Sequence, residues 1–279
     1  MLANEYAVRS ATVWHRPFHD LLTERAPSST EVRTEIILTQ AHRADLLLLR
    51  RKDVPPRDDE ARVLRGLWPL FGPVTLAELK GPSSSFQPGD LLRLVRYGLQ
   101  YHELNTESLP GPSALTLALF MPAPTPSLYA AIDHMESWRM EPLGSGYARI
   151  VGACYTILIA FLDEVCEAER DDYLRLFSRH QQQSREAGRW LTACFLRMSS
   201  MEDAHYRESH DELLKRLLEV LPPDEVMPHC TPEERLAGLE PEEYIHHFST
   251  MTPEEQGEVV RAMSPEERAA LRKRLDETS

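Results

Sequence analysis

Two short apolar runs carry charge where a buried strand would have none, and they constrain this chain more than any other feature. The first is Ala44-Asp45 followed by the leucines at 46 to 49. The second is Leu76-Ala77-Glu78-Leu79-Lys80-Gly81-Pro82. Both have strand length, and turn-forming segments flank them. Side chains alternate between the two faces of a strand, so Glu78 and Lys80 share one face while Ala77 and Leu79 share the other. A charged group inside an apolar strand is uncommon without a partner. Asp45 and Glu78, drawn from neighbouring strands, are therefore candidate ligands for a hard divalent cation, and Lys80 is a candidate contact for a phosphate oxygen or an attacking water. Their ordinary alternatives are solvated acids at strand ends and a salt bridge.

The rest of the chain supplies an α/β frame. Residues 17–25 read as a short helix and 31–39 as a strand with Ile36, Ile37 and Leu38 at its centre. Strands follow at 44–50 and 74–80, with a polar, proline-bearing loop at 51–60 and an ambiguous stretch at 61–70 between them. Residues 88–103 predict a helix with Leu91, Leu92, Val95 and Leu99 at helical spacing, and Pro88 suits its first turn. A strand at 114–121 completes the order α-β-β-β-α-β. Pro122 to Pro126 reads as a rigid turn. Strands are expected at 138–141, 147–151 and 155–162, with Gly144-Ser145-Gly146 as a hairpin turn. Helices are expected at 169–180, 185–198 and 203–221. This divides the chain into a first domain over 1–167, a helical extension over 168–224 and an acidic tail over 225–279.

The pattern Asp45…Glu78-x-Lys80 resembles the PD-(D/E)XK nuclease superfamily. The flanking text narrows the resemblance: Ala44-Asp45 and four leucines, Glu78-Leu79-Lys80-Gly81-Pro82, Gly89-Asp90-Leu91-Leu92 and Tyr97-Gly98-Leu99-Gln100-Tyr101 are similar to its transposase-like, recombination-promoting branch. The resemblance spans roughly residues 15–165. It implies a restriction-endonuclease-like α-β-β-β-α-β core with extra strands, here followed by an α-helical C-terminal region. It implies a Mg²⁺- or Mn²⁺-dependent endodeoxyribonuclease that cleaves DNA, in mobile-element recombination or in defence. Nucleases of this type commonly hold a further acid from the first helix or strand. Glu24, Glu31 and Glu35 all qualify, and Glu35 is preferred. Arg93 and Arg96, on the helix after the third strand, are candidate phosphate contacts. Some relatives place a glutamine and a tyrosine at the spacing of Arg93 and Tyr97, and here arginine stands first. Gln100 ranks lower.

Charge sets a second expectation. The formal net charge is −13, unlike that of a protein that attracts DNA through its overall field. The imbalance is local. Residues 1–126 hold 14 Lys/Arg and 14 Asp/Glu, whereas residues 168–279 hold 15 and 24. A competing expectation is therefore a catalytically inactive nuclease-like scaffold whose acidic helical tail binds a protein partner. That tail repeats one signal. Thr231-Pro232-Glu233-Glu234, Thr252-Pro253-Glu254-Glu255 and Ser264-Pro265-Glu266-Glu267 each form a capping box with proline at the first helical position, and Glu240-Pro241-Glu242-Glu243 is a variant.

The remaining features narrow the class. The longest apolar stretch, 153–162, is too short to span a bilayer, and the first residues lack the apolar run of a secretory signal. Cys154, Cys166, Cys194 and Cys230 form no CxxC pair, which argues against a zinc site or a disulfide framework and fits a reducing cytoplasm. His15 and His19 lie at a metal-binding spacing with no third ligand nearby in sequence. These two, and the adjacent pair His246 and His247, are read as structural or surface residues. A homo-oligomer is compatible with the sequence.

Overall fold

The computed structural model describes residues 14–39, 42–51, 54, 60–82, 84 and 86–199, together with 217, 221, 248, 251–262 and 268. By internal contacts the chain divides into two compact units, Met1–Val220 and Leu221–Ser279.

Among the described residues, the first unit is a mixed α/β structure built on one seven-stranded sheet. Its elements are α1 (His15–Arg25), β1 (Thr30–Thr39), β2 (His42–Arg50), β3 (Val74–Leu79), α2 (Asp90–Leu104), β4 (Leu115–Met121), α3 (Pro126–Asp133), β5 (Arg139–Gly144), β6 (Tyr147–Val151), β7 (Thr156–Phe161), α4 (Leu162–Glu169), α5 (Asp172–Arg175) and α6 (Arg185–Ser199). The strand order is β1-β2-β3-β4-β7-β6-β5. β3, β4 and β7 run parallel at the centre, and antiparallel strands continue the sheet on both sides. The central strands are buried on both faces, which is why they read as unbroken apolar runs rather than as alternation.

Each face has its own cover. On one face, Leu91, Leu94, Val95 and Tyr97 of α2 belong to a core shared with Leu47, Leu76, Leu117 and Leu119. On the other, the Phe18 ring of α1 lies 5.1 Å from Phe120 and 4.9 Å from Phe177. Leu119 and Phe120 thus point to opposite covers, as a two-residue pleat requires. β1 and β5 form the two rims. β1 carries a register irregularity between Ile37 and Thr39, and β5 contains Pro142.

The structure departs from the sequence expectations in three places. α2 begins at Asp90, after Gly89 at φ +91°, and not at Pro88. The segment after Pro122 contains a helix: Thr125 caps α3, its Oγ1 accepting from the Leu128 amide at 3.2 Å, with Pro126 at the first helical position. The expected helix over 169–180 is instead the end of α4, a break at Arg170 (φ +53°) and the short α5 capped by Asp171. The ambiguous stretch at 61–70 forms turns and a single 3-10 turn at Trp68–Leu70.

In the second unit, the helix Pro253–Ala262 opens with the expected reciprocal box. The Glu255 amide donates to Thr252 Oγ1 at 3.3 Å, and the Thr252 amide donates to Glu255 Oε2 at 2.9 Å. The similar signals at 231, 240 and 264, the expected helix over 203–221 apart from the buried Leu217 and Leu221, and His246 and His247 lie outside the described residues. Among the described residues, no helix is long and apolar enough to cross a membrane.

Candidate functional site

The antiparallel register of β2 on β3 brings the first two acids together. Leu46 pairs with Ala77 and Leu47 with Leu76. Extending that register by one residue sets Asp45 against Glu78, and paired residues point to the same face. The backbone agrees: the Leu79 amide donates to Asp45 Oδ2 at 2.9 Å. Lys80 follows the last residue of β3, and its amide bonds to the Phe120 carbonyl at 2.8 Å, so the extended geometry continues past the strand. Its side chain therefore joins Glu78 on the α2 face.

α2 completes the cluster from above. Asp90 stands in its first turn, where the helix dipole favours a carboxylate, and its Oδ2 accepts from the Gln87 amide at 2.9 Å. Lys80 Nζ lies 2.7 Å from Glu78 Oε1 and 3.0 Å from Asp90 Oδ2. Arg93, one helical turn beyond Asp90, bonds Asp90 Oδ1 through Nη2, and its Nε is 3.9 Å from Glu78 Oε1. Glu78, Lys80 and Asp90 are all buried. Three carboxylates thus gather around the Lys80 and Arg93 side chains in a poorly solvated place. Glu78 Oε2 is buried and has no hydrogen-bond partner among the described residues.

The electrostatics report the crowding. Burial first, and then the Glu78 charge, push the Asp45 carboxyl up to about 6, against the opposing pull of the Leu79 amide, His15 and Lys80. Tyr97, buried on the same helix, is raised by desolvation and by the Glu78 charge. His15, fully buried at the start of α1, therefore belongs to the electrostatic surroundings of Asp45. His19 does not. It contacts Asp20 at 3.2 Å and the Val32 carbonyl at 3.4 Å.

The other candidates separate clearly. Glu24 accepts from the Trp190 indole at 2.9 Å, and Glu31 is held by Arg33 at 2.7 Å on the surface, so neither reaches the cluster. Glu35 stands in β1 between Thr34 and Ile36, which pair with Leu46 and Ala44, the two neighbours of Asp45. Its side chain lies outside the described ones. Arg96 is exposed, and its charge acts on Tyr97. Gln100 Oε1 is buried and has no hydrogen-bond partner among the described residues. Asp90 is the residue that sequence reasoning missed. The signals for it were an acid opening the helix that follows the charged strand and its place in the quoted Gly89-Asp90-Leu91-Leu92 segment, neither of which marked it as a site residue.

A cleft of about 480 Å³ lies elsewhere, lined by Arg65, Gly66, Tyr147 and Glu169 among others. Glu169 is already engaged there, by the Tyr147 hydroxyl at 2.6 Å and by Arg65. The cleft shares no residue with the buried cluster. Compared with known proteins, the chain matches no family model, no curated protein and no solved structure.

Proposed function

We propose that the cluster at the end of β3 is the catalytic centre of a metal-dependent nuclease acting on DNA phosphodiester bonds. The observation that carries this reading is the pairing of Asp45 with Glu78 on one sheet face, with a buried Glu78 oxygen that has no hydrogen-bond partner among the described residues. A buried Asp45 carboxyl whose ionisation is opposed by burial and by the adjacent Glu78 charge makes a place where a divalent cation is electrostatically favoured. Among the described residues, the Asp45 hydrogen bond, from the Leu79 amide, uses Oδ2 and leaves Oδ1 for a metal. The element order of the first unit, α-β-β-β-α-β up to β4, is also the order that the resemblance implies.

Asp45 and Glu78 are the residues that would hold Mg²⁺ or Mn²⁺, with Glu35 as the further acid. A bound divalent cation supplies charge neutralisation at the scissile phosphate and lowers the pKa of water. The protein's own groups do the rest. An ammonium has three N–H donors, and Lys80 commits two of them to Glu78 and Asp90. The third is left for the attacking water or a phosphate oxygen, where it stabilises the charge that builds as the leaving oxygen departs. Asp90 holds Lys80 and Arg93 in place. Arg93, and Arg96 at the surface, add positive charge on the approach side.

Full-length protein incubated with supercoiled plasmid and Mg²⁺ or Mn²⁺ should produce nicked DNA. Glu78→Gln and Lys80→Ala should each lower the rate by roughly a hundredfold or more while keeping the wild-type tryptophan emission. Equal cleavage by all three proteins, or cleavage in excess chelator, removes the reading. A second reading, an inactive scaffold with a partner-binding tail, is favoured by one observation: Lys80 and Arg93 already compensate Glu78 and Asp90 within the chain. Its mark is a stoichiometric protein partner captured through the tail together with no metal-dependent cleavage.

A further inference from the structure

A different constellation, away from the sheet end, joins three metal-ligand side chains of three kinds. Cys166 and Glu167 lie on α4, and His180 lies on the segment after α5. One donor atom from each falls within 4.8 Å of the other two. Cys166 Sγ is 3.3 Å from the Asp163 carbonyl oxygen, and His180 Nε2 is 3.1 Å from that same oxygen. The thiol and the imidazole therefore converge on one point from two elements. We propose that Cys166, Glu167 and His180 form a binding site for Zn²⁺, with the Asp163 carbonyl or a water beside the fourth position.

The chemistry of the set argues for zinc rather than for a harder ion. A thiolate and an imidazole select borderline metals over Mg²⁺ and Ca²⁺, and a carboxylate is compatible with both classes. With zinc–ligand bonds of about 2.0–2.3 Å, two donors on one tetrahedral ion sit roughly 3.3–3.8 Å apart. The set must therefore tighten by about one ångström from its widest separation, a movement within reach of side-chain rotation by Glu167 and His180. Cys166 is fully buried, Glu167 is 55% exposed and His180 is half-buried, so the site has a fixed inner ligand and an open entry side. The His180 segment is already positioned. The Asp163 carboxylate accepts from the Arg179 amide at 2.8 Å and from Arg179 Nε at 2.9 Å, tying the neighbouring residue to α4. Arg175 holds Glu167 Oε1 at 2.6 Å. The other carboxylate oxygen can coordinate while that pair persists. On binding, the thiol proton leaves to solvent, the sulfur–metal bond forms, and no redox change is involved.

The test uses Co²⁺ as a spectroscopic probe on full-length protein first stripped of metal with a chelator. One equivalent of Co²⁺ should produce a near-ultraviolet thiolate-to-cobalt charge-transfer band, and Zn²⁺ should displace it. Cys166→Ser should abolish the band. His180→Gln should weaken binding by more than about tenfold. His180 is half-buried, so that variant keeps the question open to test even if Cys166→Ser does not fold, with tryptophan emission as the check on folding. Glu78→Gln should leave the band unchanged, which separates this site from the sheet-end cluster whether or not the latter cleaves DNA. No band in the wild type, or a band that persists in Cys166→Ser, overturns the proposal.

Discussion

Replacing Asp45 by Asn should stabilise the metal-free protein at neutral pH even as it removes a proposed metal ligand. The folded chain holds the Asp45 proton up to about pH 6, whereas an ordinary aspartate releases it near 3.8. Between those values the folded state binds more protons than the unfolded state, so stability falls as pH rises through that window. The loss is complete above it. A displacement from 3.8 to about 6 corresponds to roughly 3 kcal/mol, an upper bound because solvent screens part of the interaction. Asn is isosteric, and its carbonyl can still accept from the Leu79 amide, so a net gain of about 2 kcal/mol is expected at about pH 8, and almost none at about pH 4. In a unit of this size that is roughly 4–8 °C in Tm. All four tryptophans, Trp14, Trp68, Trp138 and Trp190, fall in the first unit, so urea titrations followed by tryptophan emission report on that unit alone. Added Mg²⁺ should then raise the wild-type midpoint and leave the Asp45→Asn midpoint unmoved, because only a ligand that binds the folded state shifts it. An Asp45→Asn protein that is less stable than wild type at about pH 8, or a difference that does not vary with pH, refutes this account of the site's electrostatics.

Other substitutions test other parts of the structure. Asp90→Asn removes the buried counter-charge shared by Lys80 and Arg93 and should cost about 3 kcal/mol by urea titration. Phe18→Ala, at the ring cluster with Phe120 and Phe177, should cost roughly 3–5 kcal/mol, read in the same way. Gly152 sits at φ +88°, and an added Cβ would collide with the Ser137 carbonyl, so Gly152→Ala should lower Tm, which a thermal melt measures. Thr252→Ala deletes a cap whose bonds are in place and should cost the C-terminal unit about 1 kcal/mol of helix stability, visible in far-ultraviolet circular dichroism melts.

The contrast between readable and unreadable parts has a physical origin. Asp45, Glu78 and Lys80 stood out because strand periodicity is local and a charge inside an apolar run conflicts with it. The shared face of Glu78 and Lys80 followed from the two-residue pleat alone. Asp90 did not stand out, since an acid opening a helix is ordinary; its meaning depends on how α2 lies across β3, which no local pattern encodes. α3 was missed although Thr125-Pro126 carries the same cap-and-proline start that revealed the tail helix, because the preceding prolines drew the segment toward a turn. α4 begins directly at the end of β7 with no side-chain cap. The apolar run passes from strand into helix without punctuation, and the boundary is set by packing. Cys166 and His180 showed no metal spacing in sequence because the break at Arg170 and the turn of α5 fold the chain back between them.

The two rims of the sheet bear on how copies of this protein can meet. A proline in β5 withholds one backbone donor from any incoming strand, and the irregular register near the end of β1 spoils the ladder there. Self-association by sheet extension is therefore disfavoured at both sides. If the molecule multimerises, the handshake must be made by side chains, and its specificity will be written in surface residues rather than in main-chain amides.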